Sequence, residues 1–212
     1  IPEAVIAAGK TPAETATMAV TAVETTDSAL VTRLDAEAVE TCRRRLEDRF
    51  PDVDIDHDSR ARTLVAHAPG YEAPSLDATV AVVTAGTSDK FPAGEAAVVA
   101  REAGATVEEI DDVGVAGIAR LFDNLESIRA ADVLVVAAGR EGALPTVLAG
   151  LVDVVCADPR RQYRRRVRRG CPGQSHRPLG LRSQVRIAGL NPVGSGGLVL
   201  VAEDISVSES FL

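Results

Sequence analysis

The feature that most constrains the fold is a set of uninterrupted apolar runs that alternate with helix-like segments. The runs at 78–84 and 132–137 lack the polar alternation of a one-sided strand, which indicates strands buried on both faces. A further strand is predicted at 106–110, and helical apolar spacing occurs at 92–103 and 115–129. Alternation with short loops predicts a doubly wound α/β domain, with a parallel sheet and right-handed crossovers.

A smaller α/β unit precedes this sheet. Thr11, Pro12 and Glu14 predict a capped helix that continues to about residue 23, since threonine caps well and proline suits the first turn. The remaining segments are listed by type: a helix at 36–50, strands at 29–32 and 63–67, an acidic turn at 52–58, and a fourth strand of the parallel sheet beginning at 152–156.

A Pro/Gly-rich linker at 69–74 sets the division of the chain. We predict an N-terminal α/β unit at 1–70, a nucleotide-binding domain at 76–155, and an irregular tail at 156–212. The tail is basic, because residues 155–190 hold ten arginines and one acid.

Composition limits the classes of partner. The net charge is -8, which argues against nucleic acid or an anionic membrane as the general partner. No apolar run is long enough to span a membrane. Cys42, Cys156 and Cys171 show no metal-type pairing, so we expect a reducing cytoplasm. The excess of arginine over lysine, with many acids, is typical of a salt-adapted organism or of a high-GC gene.

The turn after the first buried strand is a candidate phosphate site. Gly86, Thr87, Ser88 and Asp89 combine a flexible backbone, two hydroxyls and one carboxylate before a predicted helix. Ligands of open parallel sheets bind beyond the carboxyl ends of the strands, where backbone N–H groups favour an anion. Asp89 could accept from a ribose hydroxyl. The alternative is that Ser88 and Asp89 only cap the helix.

The loop after residue 137 is a candidate partner of that turn. Gly139 and Gly142 flank a charged pair, Arg140 and Glu141, and Ala143, Leu144 and Pro145 lead into a helix. Glu141 could act as a general base or orient a ring, or the pair could simply be solvated. A third loop holds Asp111, Asp112 and Gly114, whose acids could bind a hydroxyl or a metal, or serve as caps.

Three stretches together resemble a known family, namely Val82–Asp89, Asp112–Ile118 and Glu141–Pro145. They are similar to the aminoimidazole ribonucleotide carboxylase superfamily, which has a flavodoxin-like three-layer α/β/α fold, and they resemble its LarB branch most. The segments at 9–12, 31–33 and 61–64 also look like that branch. The superfamily's purine enzymes carry a catalytic histidine at the position of Ala143, which argues against a purine mutase.

The resemblance implies an activity in nickel-pincer cofactor biosynthesis. The expected substrate is nicotinic acid adenine dinucleotide, with carbon dioxide or bicarbonate as co-substrate. The pyridinium ring would be carboxylated and the phosphoanhydride hydrolysed, releasing AMP and pyridinium-3,5-biscarboxylic acid mononucleotide. A thiolate that adds to the ring would make it nucleophilic. By the resemblance the first turn would hold phosphate or ribose, Glu141 would face the ring, and the protein would form a homo-oligomer. A divalent metal is an open possibility.

Two departures from the family predict that the synthase activity is impaired in this chain. Its helix after the Asp-Val-Gly motif usually has histidine where this chain has Ala119, and its nucleophilic cysteine, in a Ser-Cys motif, has no counterpart here. Degenerate codons for residues 156–179, when they are read one base later, permit a continuation of the family's kind. We therefore predict an out-of-frame tail, and the alternative is a genuine basic, disordered one.

Three alternative functions stay open. One is a purine-pathway carboxylase or mutase. Another is a nucleotide-binding module without catalysis. The third is polyanion binding by the arginines at 164–169, for which the near-absence of interleaved aromatic residues gives little stacking.

Overall fold

A computed structural model of the protein describes residues 3–140, 142–152, 155–157, 186–188 and 201–203. The strands are β1 Ala4–Ile6, β2 Ser28–Thr32, β3 Asp54–Asp58, β4 Thr63–His67, β5 Thr79–Thr84, β6 Thr106–Ile110, β7 Val133–Ala137, β8 Val155–Ala157, β9 Arg186–Ala188 and β10 Val201–Glu203. The helices are α1 Pro12–Thr26, α2 Ala36–Arg49, α3 Lys90–Glu102, α4 Ile118–Asp123, α5 Leu125–Ala130 and α6 Ala143–Leu151.

The first four strands form one sheet in the order β1-β2-β4-β3. Strand β1 is parallel to β2, and the other two pairings are antiparallel. Helices α1 and α2 pack together and share a core with this sheet, to which Leu46 and Leu64 contribute. The capping box at Thr11 and Glu14 is present as the sequence indicates.

The second sheet has the order β6-β5-β7-β8, and all of its neighbouring strands are parallel. Ala93 and Ala97 of α3 pack on one face against Val82 and Val135. The helices α4, α5 and α6 cover the opposite face, where Leu134 is central to the core. These three layers confirm the predicted flavodoxin-like α/β fold.

Three local predictions were wrong. Strand β1 was not predicted, because three residues are too short to show a period. The acidic stretch predicted as a turn is strand β3, an edge strand whose aspartates are exposed while Ile55 and His57 are half-buried. The helix predicted at 115–129 is a 3-10 turn at Val115–Gly117 followed by α4 and α5.

Asn124 marks the break between α4 and α5. Its backbone lies at φ -103° and ψ 4°, and its side-chain Nδ2 donates to the Arg120 carbonyl at 2.8 Å. A short polar side chain that bonds a nearby carbonyl competes with the helix's own hydrogen bonds. Periodicity of apolar residues does not reveal such a break, because both segments keep their buried face.

The tail predicted as irregular contains one regular feature. Strands β9 and β10 pair antiparallel, with Ala188 opposite Val201. Ile187 and Val201 are β-branched residues, which favour extended backbone. The arginine-rich residues 158–185, and with them the out-of-frame and polyanion-binding predictions, lie outside the described residues. The predicted division at residues 70, 76 and 156 stays a prediction.

Within the described ranges, no helix is both long enough and apolar enough to cross a bilayer.

Candidate functional site

A crevice forms where the chain leaves two adjacent strands in opposite directions. From β5 the chain enters α3 on one face of the sheet, and from β7 it enters α6 on the other. Strands β5 and β7 are hydrogen-bonded neighbours, so the loops at their carboxyl ends diverge beside each other. This divergence is the position where doubly wound sheets bind ligands. The structure thus brings the two predicted loops to one place.

The Asp89 carboxylate joins these loops. Its Oδ2 accepts from the Gly86 N–H at 3.0 Å, and its Oδ1 accepts from the Gly139 N–H at 2.8 Å. The residue is only 5% exposed, so the carboxylate lies beneath the crevice rather than at its surface. A carboxylate that accepts backbone N–H groups is held by charge-assisted hydrogen bonds, which are stronger than neutral ones. Asp89 therefore fixes the spacing between the loops.

The turn that contains Asp89 is a single 3-10 turn, Thr87–Asp89, directly before α3. The Asp89 N–H donates to the Gly86 carbonyl at 3.0 Å, which closes the turn. Thr87 and Ser88 are exposed at its outer edge. Asp89 faces inward, so its predicted ribose contact stays a prediction, as do the phosphate contacts predicted for the Thr87 and Ser88 hydroxyls.

The β6 loop is bonded to the same region. The Thr84 hydroxyl donates to Asp111 Oδ1 at 2.9 Å and accepts from the Asp112 N–H at 3.0 Å. The Gly114 N–H donates to the Ala85 carbonyl at 3.0 Å. A Cβ on Gly114 would lie 2.5 Å from that carbonyl oxygen, so this close approach requires glycine.

Asp112 itself lies at the surface. Its backbone has a left-handed φ of 58°, and the Arg120 Nε donates to its carbonyl at 2.6 Å. The Asp112 carboxylate is 3.5 Å from the Arg120 guanidinium. Its predicted ligand role stays a prediction, and the ion pair is its described contact.

The loop after β7 leads into α6 through residues that each have a different structural role. Gly142 has a φ of 64°, a left-handed conformation that glycine adopts readily, and Ala143 begins the helix. Leu144 is buried in the core, so it anchors the loop, and Pro145 lies in the first turn, where a missing N–H does no harm. The candidate base Glu141 lies outside the described residues.

Two residues of this region were not predicted as part of the site. Lys90, directly after Asp89, donates through Nζ to Asp111 Oδ2, and Thr84 ends β5 with the hydroxyl contacts described above. Lys90 is one of two lysines in a chain with 21 arginines, which was the available sequence signal. The contact between Lys90 and Asp111 joins the loops that follow β5 and β6. The spacing of residues along the sequence does not reveal it.

The pKa of the Asp111 carboxyl is lowered by its neighbours. Burial raises the pKa of its carboxyl, but hydrogen bonds from Lys90 and Thr84, with the positive charges of Lys90 and Arg60, lower it more. The net result is a pKa below the ordinary value of 3.8. A folded-state pKa below the unfolded one means that the ionised carboxyl stabilises the fold.

We expect the stabilisation from Asp111 to depend on pH in the acid range. Because its folded pKa is lowered, the contribution is complete above about pH 4 to 5 and is lost as pH falls through the lowered folded pKa. Denaturant midpoints of wild type and Asp111→Asn should therefore differ at pH 7 and converge as the pH falls below the lowered folded pKa. The exposed Asp123→Asn variant serves as the control. A gap that stays constant with pH would contradict the ion-pair assignment.

Cys42 is remote from the crevice. It lies on α2 in the N-terminal core and is fully buried, and burial raises the pKa of its thiol to about 11. A thiol of that pKa is hardly ionised near neutral pH, and the thiolate is the nucleophile. Cys42 therefore cannot supply the ring-activating thiolate. The side chains of Cys156 and Cys171 lie outside the described residues.

We predict that iodoacetamide alkylates Cys42 only after unfolding. Peptide mapping by mass spectrometry at pH 8, with and without denaturant, separates Cys42 from Cys156 and Cys171. Labelling of the Cys42 peptide in the native protein at the rate found in denaturant would refute the buried, protonated thiol.

No group of three or more His, Cys, Asp or Glu residues with metal-holding geometry occurs among the residues that the structure describes. The divalent metal left open by the sequence stays untested.

Comparison with known proteins agrees with the N-terminal resemblance. Residues 1–68 match the family described as the LarB/PurE-like N-terminal domain. An uncharacterized protein of Methanocaldococcus jannaschii is 36% identical over 157 residues, which cover 73% of this chain and 60% of the relative. The match thus spans less than two thirds of that relative's length. Together these similarities support a place for the chain in the LarB/PurE superfamily.

Proposed function

We propose that the protein is a pyridinium-3,5-biscarboxylic acid mononucleotide synthase of the LarB type. Its substrate is nicotinic acid adenine dinucleotide, and carbon dioxide or bicarbonate supplies the new carboxyl group. A carbon–carbon bond forms at the pyridinium ring and a ring proton leaves. Water cleaves the phosphoanhydride, and the products are AMP and the dicarboxylated mononucleotide.

The observation that carries the proposal is the crevice between the β5 and β7 loops. Asp89 holds Gly86 and Gly139 at a fixed spacing on the two sides of the point where the chain diverges. The position is the one at which this fold class binds nucleotides. The N-terminal match to a LarB/PurE-like domain supports the LarB/PurE superfamily over other nucleotide-binding families, and the resemblance at Val82–Asp89, Asp112–Ile118 and Glu141–Pro145 favours its LarB branch.

Within the crevice the roles divide by chemistry. The exposed hydroxyls of Thr87 and Ser88, at the start of α3, suit the pyrophosphate or a ribose. Glu141 follows Gly139 by two residues in a loop whose start is bonded to Asp89, and we assign it to the ring. By the same resemblance we propose a homo-oligomer. The assignments of Thr87 and Ser88 and of Glu141 are compatible, since they place different parts of the dinucleotide along one crevice.

The purine-pathway alternative is less well supported. Ala143 begins α6 at the position where the purine enzymes carry their histidine, and a methyl group transfers no proton. A nucleotide-binding module without catalysis has a specific observation in its favour, namely that the family's Ser-Cys motif has no counterpart in this sequence. That alternative predicts dinucleotide binding without AMP release.

The test is to incubate the full chain with nicotinic acid adenine dinucleotide and ¹³C-bicarbonate and to follow products by mass spectrometry. AMP together with a mononucleotide that carries one ¹³C carboxyl group is the expected result. Calorimetry with the same dinucleotide is run in parallel. Binding without AMP would replace the synthase by the binding module. Conversion of aminoimidazole ribonucleotide under the same conditions, or failure to bind either compound, would overturn the proposal.

A further inference from the structure

We propose that the N-terminal unit positions the crevice, because the Arg33–Glu95 ion pair and the Ala61–Gly94 contact hold the first turns of α3 and, through them, Asp89. The N-terminal unit here means residues 3–68. The positioning role rests on the crevice being the functional site of the proposed function, but the contacts themselves do not depend on the substrate.

The first contact is an ion pair between the two units. Glu95 lies on α3 and is only 8% exposed, and its Oε1 accepts from the Arg33 Nε at 3.3 Å. Arg33 follows β2 directly, and its own side chain is mostly covered. A buried carboxylate is strongly unfavourable unless it is paired. The position of α3 is therefore coupled to the position of Arg33.

The second contact is the close approach of the Gly94 backbone to Ala61. A Cβ on Gly94 would lie 2.7 Å from the Cβ of Ala61, a distance that real side chains do not adopt. Ala61 is itself buried, within the turn that joins β3 and β4. Phe91, also in the first turns of α3, makes the third contact. The Arg62 Cζ lies over its ring, 5.5 Å from the ring centroid.

The Arg62 side chain is held by the backbone that follows β2. Arg62 Nε donates to the Leu34 carbonyl at 2.7 Å, and Arg62 Nη2 donates to the Arg33 carbonyl at 3.2 Å. The Leu34 N–H returns a bond to the Arg62 carbonyl at 3.0 Å. The loops after β2 and before β4 thus form one bonded surface against α3.

The three contacted residues of α3, Phe91, Gly94 and Glu95, lie next to the crevice. Asp89 directly precedes the helix, and Glu95 is roughly 9 Å from it at 1.5 Å per residue. A displacement of these first turns moves the Asp89 carboxylate relative to Gly86 and Gly139, because the helix is rigid over this length.

The far end of α3 supplies a matched control. Glu102 there pairs with His67 of the N-terminal unit, with Nε2 and Oε2 2.9 Å apart. Glu102 is roughly 20 Å along the helix from Asp89. Each glutamate-to-glutamine substitution therefore removes one carboxylate of α3 that pairs with the N-terminal unit. The two substitutions differ in their distance from the crevice.

The experiment compares Glu95→Gln, Gly94→Ala and Glu102→Gln in the full chain. Hydrogen exchange at the Gly86 and Gly139 amides, read by NMR or mass spectrometry, reports whether Asp89 still holds the loops. Both near-end variants should raise this exchange at least tenfold, while Glu102→Gln should leave it within twofold of wild type, whatever its effect on melting temperature. If Gly94→Ala does not fold, Phe91→Leu takes its place.

Ligand binding gives the second readout. With nicotinic acid adenine dinucleotide as the probe, Glu95→Gln should raise Kd at least fivefold and Glu102→Gln should not. Unchanged loop exchange in the near-end variants, or equal effects at both ends, would overturn the positioning role. Faster exchange in the near-end variants, with no dinucleotide bound even by wild type, would keep the positioning role and refute the proposed substrate.

Discussion

Replacing Asp89 with alanine is expected to lower the free energy of unfolding by about 3 kcal/mol, since two half-buried N–H groups each lose a charged partner worth roughly 1–3 kcal/mol. The groups are the amides of Gly86 and Gly139, and Asp89 is almost fully buried between them. The same variant should weaken dinucleotide binding at least tenfold, because the spacing of the loops is no longer fixed.

Chemical denaturation and calorimetry measure the two effects of this substitution. Ser88→Ala is the matched control for stability alone, since Ser88 is exposed in the same turn and should change stability by less than about 0.5 kcal/mol. Asp89→Asn should fall between wild type and alanine, because an amide keeps one acceptor but turns a donor toward the second N–H. An alanine variant with wild-type midpoint and wild-type binding would show that Asp89 does not join the loops in solution.

Leu134→Ala is the second substitution with a large expected effect. Leu134 lies in the middle of β7, is fully buried, and belongs to the core between the sheet and α4, α5 and α6. Removing its side chain leaves a cavity, and such changes cost about 2–5 kcal/mol. For a chain of this size the melting temperature should fall by roughly 6–12 °C for a loss near 3 kcal/mol.

Phe122→Ala provides the control for Leu134→Ala. Phe122 is 52% exposed on α4, so its truncation removes more atoms but leaves a smaller cavity, and the expected loss is under about 1 kcal/mol. Differential scanning calorimetry of both variants decides the matter. Equal losses for the two would mean that β7 is not at the centre of the sheet.

The parallel sheet was predictable because its chemistry is local. A strand buried on both faces is apolar over its buried length, and residues 80–83 and 133–137 are apolar throughout. Strand β3 was not predictable in this way. It lies at an edge, and Asp54, Asp56 and Asp58 face solvent, so the pattern is that of a polar turn until a partner strand is known.

The candidate site was predictable in part, for a related reason. Glycines and hydroxyls after buried strands indicate where ligands approach, so the sequence indicates the crevice loops themselves. The orientation of Asp89 was not indicated, because its partner Gly139 lies 50 residues away. The contacts of Arg33 and Arg62 were not indicated either, since both depend on how α3 lies against another sheet.

The hydrogen bond between Asp89 and Gly139 also determines when the crevice can form during synthesis of the chain. A nascent polypeptide that ends before residue 139 contains Gly86 and Asp89, but the Asp89 carboxylate then lacks its second donor. The crevice comes into being only when β7 has added to β5, a parallel pairing that must close a long loop and is therefore slow. A ligand of the crevice thus has no affinity for the half-synthesised chain, and it stabilises the completed sheet by mass action.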